Sequence, residues 1–284
     1  MNKKPDWIIR KAPRPEILLE MNKLFRNLKI HTICENALCP NIGICFEKKV
    51  ATFLILGNIC SRNCRFCGVQ KGRPTPVDNK EPEHVADAVQ KLKLRHVVIT
   101  SVTRDDLPDF GVDQFIKTIN AIRNNNRKIT IEVLIPDFQG SEFCLDKIIK
   151  IRPEIIGHNI ETIPKLYHKI RPKADFYRSI GILQYLNDNR INYLIKSGLM
   201  IGLGETKEEI FQTMEIISKT GCDILTIGQY LQPSKKQVEV EKYYEPKFFD
   251  ELKDHGTSIG FKYVYSGPFV RSSFNADEIF KILK

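Results

Sequence analysis

The amino-acid sequence predicts an α/β fold built from parallel strands. Short apolar runs rich in Val and Ile alternate along the chain with segments of helical periodicity, which is the pattern of β/α units. About six such units can be counted, fewer than the eight of a complete barrel. Polar motifs follow several of the strand candidates, where ligands bind in such folds. The chain of 284 residues is long enough for one large domain or two modest ones.

Six strand candidates and five helix candidates succeed one another along the chain. Length, flanking Gly or Pro and the period of the apolar residues separate the two kinds of segment. The first helix candidate is amphipathic and is expected to pack on the main body of the protein. Strands are predicted at 51–56, 95–100, 129–135, 155–160, 199–202 and 224–228, and helices at 15–30, 83–93, 112–123, 177–187 and 207–218.

Composition and charge narrow the class of protein. With 42% hydrophobic and 27% charged residues, the chain has the composition of a globular protein. No apolar run reaches the roughly 20 residues that cross a bilayer, and the first residues lack the apolar core of a signal peptide. The net charge of +10 suits an acidic partner. No helix-turn-helix pattern, aromatic RNA-binding signature or long basic run is present. We therefore expect neither nucleic acid nor a membrane as partner.

The use of cysteine indicates metal chemistry. Six of the eight cysteines fall in two tight triplets, which is unlike the disulfide framework of a small secreted protein. A reducing compartment, the cytoplasm, is therefore predicted. The two remaining cysteines, Cys144 and Cys222, lie in helical or strand contexts and are predicted to be thiols of the core.

The downstream triplet has the spacing C-x3-C-x2-C. Cys60, Cys64 and Cys67 lie on the loop that leaves the first strand candidate, which Gly57 closes. Thiolates are soft ligands that favour iron–sulfur clusters, zinc or copper(I). Three thiolates leave one iron of a four-iron cluster without a protein ligand. The loop therefore predicts a coordination site for a small molecule, with a three-cysteine zinc site completed by histidine as the alternative.

The upstream triplet has the spacing C-x4-C-x5-C. Pro40 and Gly43 are expected to keep the backbone around Cys34, Cys39 and Cys45 irregular enough to wrap a cluster. Alone, this motif also fits zinc, with His31 as the natural fourth ligand. Next to the second triplet, it predicts two clusters that each lack one protein ligand.

The paired cysteine motifs resemble those of the lipoyl synthase family within the radical S-adenosylmethionine enzymes. The aromatic Phe66 directly before the last cysteine is part of this resemblance. Further segments look like the same family, so that the similarity extends from about residue 30 to 275. These segments are at 51–57, 100–107, 159–162, 196–200, 202–206, 228–234 and 270–273.

The resemblance implies a fold and a reaction. The fold would be a partial (β/α)6 TIM-type barrel, with N-terminal and C-terminal extensions closing over the barrel mouth. The domains would be 1–49, 50–235 and 236–284. The enzyme would use S-adenosylmethionine and two 4Fe-4S clusters to form a 5′-deoxyadenosyl radical. This radical would abstract hydrogen at C6 and C8 of a protein-bound octanoyl-lysine, and the auxiliary cluster would supply both sulfurs of the lipoyl group.

The resemblance also implies roles for individual residues. Cys60, Cys64 and Cys67 would hold the radical-generating cluster, and Cys34, Cys39 and Cys45 the auxiliary cluster. The fourth auxiliary ligand would be Ser273, with Ser272 as the alternative, in a segment where Phe274 replaces the family's tyrosine. The S-adenosylmethionine contacts would be Phe66, Thr100, Ser101, Asn159, Glu161, Gly202 and Gly204.

Two of the motifs carry alternatives at the level of sequence. Glu161 can bind the ribose hydroxyls of S-adenosylmethionine or complement a helix dipole. Arg104, Asp105 and Asp106 can position substrate or form a solvated ion cluster.

The implied partners are acidic or redox proteins. They are octanoylated lipoyl carriers, namely the lipoyl domains of 2-oxoacid dehydrogenases and the glycine cleavage H protein, and an electron donor such as ferredoxin or flavodoxin. Lipoyl carriers are generally acidic, which gives the charge of +10 a use. Another radical S-adenosylmethionine enzyme with an auxiliary cluster and a zinc-binding module are the competing hypotheses.

Overall fold

The computed structural model describes residues 4–10 and 12–284. It comprises two compact units. The N-terminal unit consists of Lys11–Arg62 and Gly68–Ile156, and the C-terminal unit consists of Met1–Arg10, Asn63–Cys67 and Gly157–Lys284.

In the N-terminal unit, parallel strands alternate with helices. Its elements are α1 (Pro15–Asn27), β1 (His31–Thr32), α2 (Ile33–Asn36), α3 (Ile42–Glu47), β2 (Thr52–Ile55), β3 (Ile59–Cys60), β4 (Gln70–Lys71), α4 (Glu81–Lys91), β5 (His96–Ser101), α5 (Val112–Asn125), β6 (Thr130–Leu134) and α6 (Glu142–Lys150). Strand β7 (Ile155–Gly157) follows at the unit boundary. Strands β2, β5 and β6 pair in parallel, and β1 runs antiparallel to β2.

Helix α1 shows how the sequence pattern becomes packing. Pro15 starts the helix, at a position where its missing N–H costs nothing. The apolar face buries Phe25, whose ring meets Phe46 of α3 edge-on at 5.6 Å. The helix ends at Asn27 and not at residue 30 as predicted. Lys29 adopts a left-handed φ of 53° and the Ile30 N–H bonds the Phe25 carbonyl, which closes the helix end.

The C-terminal unit repeats the same construction. Its elements are α7 (Pro164–Ile170), α8 (Phe176–Asp188), β8 (Leu194–Ile201), α9 (Lys207–Lys219), β9 (Ile224–Gln229), α10 (Pro246–Ser258), β10 (Tyr263–Gly267) and α11 (Ala276–Leu283). Strands β8, β9 and β10 pair in parallel. Short 3-10 helices cover Asp6–Ile8 in this unit and Phe138–Gly140 in the N-terminal unit.

The predicted strand and helix succession is confirmed, with shifts at the ends of elements. Six successive strands, β2 and β5 to β9, are each followed by a helix, which gives the six β/α units counted from the sequence. Strand β8 begins at Leu194, five residues before the predicted start at residue 199. The prediction placed the start too late because the buried polar residues Lys196 and Ser197 interrupt the apolar pattern of the strand. The prediction did not include the short strands β1, β3 and β4, strand β10, or helices α2, α3, α6, α7, α10 and α11. The domain boundaries at 49/50 and 235/236 and the closure of the barrel mouth stay predictions.

A search for membrane spans among the described helices found none with the required length and hydrophobicity.

Two glycines provide a matched test of packing. Gly111 has a φ of 85°, and a methyl group there would overlap the Cδ1 atom of Leu56, whose own φ is 68°. We expect Gly111→Ala to lower the free energy of unfolding by roughly 1–3 kcal/mol. Gly181 lies exposed in α8 with no atom within 4 Å of an added Cβ. Gly181→Ala should therefore raise the same quantity by roughly 0.5–1 kcal/mol. Urea unfolding measures both, and equal effects would contradict the expectation.

Candidate active site

The upstream cysteine triplet lies on two short helices and the turn between them. Cys34 is in α2, Cys45 is in α3, and the Cys39 N–H donates to the Cys34 carbonyl at 3.0 Å. The irregular backbone predicted here is confined to the turn, where Leu38 has a φ of 53°. Helix α2 forms because Thr32 caps it by accepting a hydrogen bond from the Glu35 N–H.

Electrostatics shows that these three sulfurs share one neighbourhood. Burial raises the pKa of the Cys34 thiol far above its usual range, and the negative charges of Cys39 and Cys45 raise it further. Cys34 is buried whereas Cys39 and Cys45 are partly exposed, and a cation bound to all three would offset the repulsion between their thiolates. The triplet therefore fits a metal cluster, in which each thiolate bonds its own iron.

The zinc alternative would place the three cysteines and His31 on one metal ion. Within residues 4–10 and 12–284, no three His, Cys, Asp or Glu side chains are grouped as ligands of one metal ion. His31, the expected fourth zinc ligand, lies in β1 opposite Leu54. It lines an open cavity of about 480 Å³ with Phe25 and Arg26.

In the N-terminal unit, two backbone donors hold the sulfur of Cys60. Its Sγ atom accepts hydrogen bonds from the backbone N–H groups of Arg62 at 3.5 Å and Thr103 at 3.4 Å. These two bonds fix the position of the sulfur on the loop. Cys60 is therefore in place to act as a soft ligand of a metal cluster.

In the C-terminal unit, the rest of the cysteine loop is fixed by backbone hydrogen bonds and apolar packing. The Arg65 N–H donates to Ile170, the Arg65 carbonyl accepts from Val238, and the Gln237 side chain donates to the Cys67 carbonyl. Phe66 packs against a buried apolar cluster with other partly buried side chains. The cluster comprises Ile163, Leu166, Ile170, Leu203 and Tyr230, and the other side chains are Met200, Val238 and Val240. This apolar neighbourhood suits a flat heterocyclic ring.

Asn159 and Glu161 follow β7 and form a polar centre in the C-terminal unit. The Asn159 amide donates to Glu161 Oε1 at 3.1 Å, and the Arg171 guanidinium donates to the Asn159 carbonyl at 3.1 Å. Glu161 has a left-handed φ of 71° and forms an isolated bridge with Leu199. Thr162 Oγ1 is buried and makes no hydrogen bond within the described part of the chain.

Burial raises the pKa of Glu161 above its usual range. The charge of Arg171, the Asn159 hydrogen bond and the charge of Arg271 act in the opposite direction. A carboxyl group in this setting becomes a better acceptor once a ligand brings donors to it. The left-handed backbone of Glu161 and the buried hydroxyl of Thr162, which has no partner among the described residues, make this centre a candidate binding site.

The C-terminal serines lie next to this centre. Ser272 Oγ donates to Asn159 Oδ1 at 2.8 Å. The Phe274 ring stacks on Tyr265 with centroids 6.2 Å apart and an interplanar angle of 10°. Phenylalanine therefore holds this turn by ring stacking, without the hydroxyl of the family's tyrosine. Ser273 lies between these two anchored residues.

The remaining residues predicted to contact S-adenosylmethionine differ in whether their own side chain or backbone is free to meet a ligand. Thr100 Oγ1 is occupied by the Leu134 carbonyl at 2.9 Å, whereas Ser101 Oγ is buried without a hydrogen-bond partner in the described residues. A methyl group at Gly202 would overlap the Gln229 amide and crowd the Lys242 carbonyl, so glycine there serves close packing. At Gly204, with a φ of 113°, only Glu241 comes near, at 3.7 Å.

The other polar and thiol candidates are structural. Arg104 is 2% exposed and forms a forked pair with Asp106, whose side chain is 38% exposed, so this ion pair is solvated only on its Asp106 side. The Cys144 and Cys222 thiols are buried and lie within 3.5 Å of backbone carbonyls, as expected for thiols of the core.

The sequence did not identify two arginines of the site. Arg171 organises Asn159 and Glu161, and Arg62 is buried inside the cysteine loop. For Arg62 the sequence offered a signal, because it lies between Cys60 and Cys64 of the downstream motif. For Arg171 no local pattern gave one.

The raised pKa of Glu161 makes stability depend on pH. Since the folded protein favours the protonated form, this contribution is present below the ordinary pKa of 4.5 and is lost as pH rises through the folded-state pKa. Glu161→Gln should therefore flatten the fall in the free energy of unfolding above pH 4.5, measured by urea unfolding without cofactors.

A control of opposite sign is available in α9. The backbone N–H of Thr206 lowers the pKa of Glu209, which completes a capping box. That contribution is present above the ordinary pKa and is lost as pH falls. Glu209→Gln should therefore remove stability at neutral pH, and pH profiles identical to that of the unchanged protein for both variants would contradict the analysis.

Comparison with known proteins identifies the family of the chain. Residues 54–217 match the family model of the Radical SAM superfamily. The chain is 50% identical over 283 residues to the lipoyl synthase of Caldicellulosiruptor saccharolyticus, with 99% of each chain covered. It is 48% identical over 275 residues to the lipoyl synthase of Caldanaerobacter subterraneus subsp. tengcongensis, covering 97% of this chain and 96% of the relative.

Solved structures establish the fold class. Methylornithine synthase superposes with a TM-score of 0.55 at 13% identity, covering 90% of this chain and 79% of that one. SuiB of Streptococcus suis superposes with a TM-score of 0.58 at 15% identity, covering 88% and 59%. The predicted fold class, an α/β partial TIM-type barrel, is thereby confirmed. By the extent and level of sequence identity, the chain belongs to the lipoyl synthase family of radical S-adenosylmethionine enzymes.

Proposed function

We propose that this chain inserts two sulfur atoms at C6 and C8 of an octanoyl group amide-linked to a lysine of a carrier protein. The observation that carries the proposal is the pair of cysteine triplets, in a chain that matches lipoyl synthases over almost its full length. As a family member, the chain is a radical S-adenosylmethionine sulfurtransferase that uses S-adenosylmethionine and two 4Fe-4S clusters. When bound, these cofactors supply radical chemistry at an unactivated C–H bond and the sulfur atoms.

Each triplet has its own role in this proposal. Cys60, Cys64 and Cys67 hold the cluster that binds S-adenosylmethionine. The two N–H groups directed at Cys60 Sγ support this role, because they hold the sulfur in one position on the loop. Cys34, Cys39 and Cys45 hold the auxiliary cluster, as the mutual repulsion of their thiolates supports.

The fourth ligand of the auxiliary cluster is assigned to Ser273. The neighbouring Ser272 is committed to Asn159 at 2.8 Å, which favours Ser273 over the alternative. Oxygen is a harder ligand than thiolate, so its bond to iron is the weakest of the four. A weak ligand suits a cluster that is dismantled as it gives up sulfur.

The S-adenosylmethionine contacts are proposed on the polar and apolar groups described above. Phe66 packs on the adenine ring, as the surrounding apolar cluster supports. Asn159 and Glu161 bind the ribose hydroxyls, since Glu161 is held by Asn159 beside the unsatisfied Thr162 hydroxyl. Of the two residues at the end of β5, Ser101 is the better candidate, because the Thr100 hydroxyl already donates to the Leu134 carbonyl. Gly204 allows close approach, and Gly202 contributes indirectly through packing.

The partners in this proposal are proteins. Octanoylated lipoyl domains and the glycine cleavage H protein are the carriers, and a ferredoxin or flavodoxin supplies electrons. The charge of +10 on this chain favours acidic partners of both kinds. The reaction is placed in the cytoplasm, where thiols stay reduced.

A pair of cysteine variants tests the proposed function. Cys60→Ala should abolish reductive cleavage of S-adenosylmethionine. Cys39→Ala should retain cleavage and form no lipoyl group. Mass spectrometry of an octanoyl-lysine carrier after anaerobic incubation with reductant detects the product. Cys144→Ala, which removes a core thiol, is the control and should keep both activities. Lipoyl formation by Cys39→Ala would overturn the sulfur assignment.

The two serines can be separated in the same assay. Ser273→Ala should cleave S-adenosylmethionine without inserting sulfur. Ser272→Ala should instead raise the dissociation constant for S-adenosylmethionine, because the Asn159 amide loses the group that orients it. Iron analysis and equilibrium binding supply the readouts. Full lipoyl formation by both variants would rule out a serine ligand.

A further inference from the structure

The cysteine loop contains a buried arginine to which the proposed reaction gives no role. The Arg62 side chain is 4% exposed and lies between Asp105 and Asp137 of the same unit. Its Nε and Nη2 atoms donate to Asp105 at 2.7 and 2.8 Å, and its Nη1 and Nη2 atoms donate to Asp137 at 2.8 and 2.7 Å. Both carboxylates are therefore bound by a fork of two hydrogen bonds.

Stability alone does not explain such an arrangement. Asp137 is fully buried, and moving a carboxylate and a guanidinium out of water costs several kcal/mol per ion on average before their attraction is counted. Apolar side chains of similar volume often stabilise a protein as well as a buried ion pair does. What the forked pairs supply is geometry, because two parallel bonds to each carboxylate fix the guanidinium in position and in plane.

The segment that this arrangement fixes is the backbone around Cys60. Asp105 lies four residues after the end of β5 and Asp137 three residues after the end of β6. Ser61 adds three more bonds, since its N–H and Oγ both donate to the Thr103 carbonyl and its Oγ accepts from the Asp105 N–H. Cys60 to Arg62 is therefore held against Thr103 to Asp105 along its whole length.

This contact places two donors on the cysteine sulfur. The N–H groups of Arg62 and Thr103 reach Cys60 Sγ at 3.5 and 3.4 Å, one from each side of the joined segments. Hydrogen bonds to the sulfurs are among the factors that set the reduction potential of an iron–sulfur cluster. A donor stabilises the added negative charge, so it raises the potential.

We propose that Arg62 is a positioning residue that raises the reduction potential of the cluster bound through Cys60, by holding the Arg62 and Thr103 N–H groups on its sulfur. The proposal rests on the proposed function to the extent that Cys60 is taken as a cluster ligand. It concerns electron acceptance by that cluster and not the insertion of sulfur.

The test compares two arginines that each form an ion pair with a buried aspartate. Lysine keeps the charge of Arg62 and cannot bind both carboxylates with forked bonds. In Arg62→Lys holoenzyme we expect the equilibrium constant for one-electron reduction to fall about tenfold, which is about 59 mV. EPR-monitored redox titration measures it, and the cluster is identified by the change of its EPR signal when S-adenosylmethionine is added.

Arg190→Lys is the matched control. Arg190 Nη1 donates to both oxygens of the buried Asp223, at 2.9 and 2.8 Å, and this ion pair lies at the amino ends of β8 and β9. Both variants should lower the melting temperature, and only Arg62→Lys should move the potential. An unchanged potential in Arg62→Lys, or an equal shift in Arg190→Lys, would overturn the proposal.

A second variant and a second readout guard against loss of the cluster. Asp105 is 23% exposed, so Asp105→Asn is the gentler change, and it should lower the potential in the same direction. In the protein without cofactors, hydrogen–deuterium exchange of the peptide containing Thr103 should accelerate in Arg62→Lys and not in Arg190→Lys. Unchanged exchange in Arg62→Lys would count against the proposal.

The outcome is distinguishable from a failure of the proposed function. If the carrier is not converted but the Cys60 cluster binds S-adenosylmethionine and its potential shifts as described, sulfur insertion is wrong and the role of Arg62 stands. If conversion proceeds and the potential does not move, the reverse holds.

Discussion

A parallel strand delivers the residues that follow it to one edge of its sheet, and this constraint decides where the chemical groups of this protein lie. In the N-terminal unit, Thr103 and Asp105 follow β5 and Asp137 follows β6, so that two loops distant in sequence meet the residues around Cys60. In the C-terminal unit, the polar centre at Asn159 and the glycines after β8 obey the same rule. The sheets supply rigid positions, and the loops supply the reactive groups.

The two cysteine triplets differ in the groups that surround their sulfurs. The sulfur of Cys60 receives hydrogen bonds from two backbone N–H groups. Burial raises the pKa of the Cys34 thiol, and the neighbouring cysteines raise it further. A cation bound to the upstream triplet would offset that repulsion. A cluster that must cycle repeatedly gains from the permanent donors that the first site has.

The period of the apolar residues predicted most of the strands and helices, and the spacing of the cysteines predicted the candidate cluster ligands. Both signals are local. Strand β8 was placed too late because Lys196 and Ser197 are buried polar residues inside it, and Ser197 satisfies its hydroxyl on the His158 carbonyl. The short helix α2, which carries Cys34, is capped by Thr32, whereas the sequence prediction had weighed the turn signals of Pro40 and Gly43 further along the chain. The partners of Arg62 lie 43 and 75 residues away, a pairing that no local pattern encodes.

The position of the C-terminal tail depends on the absence of a side chain at Gly228. A Cβ atom there would overlap the Val270 carbonyl and crowd the Arg271 guanidinium, so the tail lies directly on the backbone of β9. One methyl group at residue 228 would thus lift the segment that carries Ser272 and Ser273 while leaving both hydroxyls chemically intact. A substitution at residue 228 would therefore displace the tail from β9 while leaving the hydroxyl proposed as an iron ligand chemically unchanged.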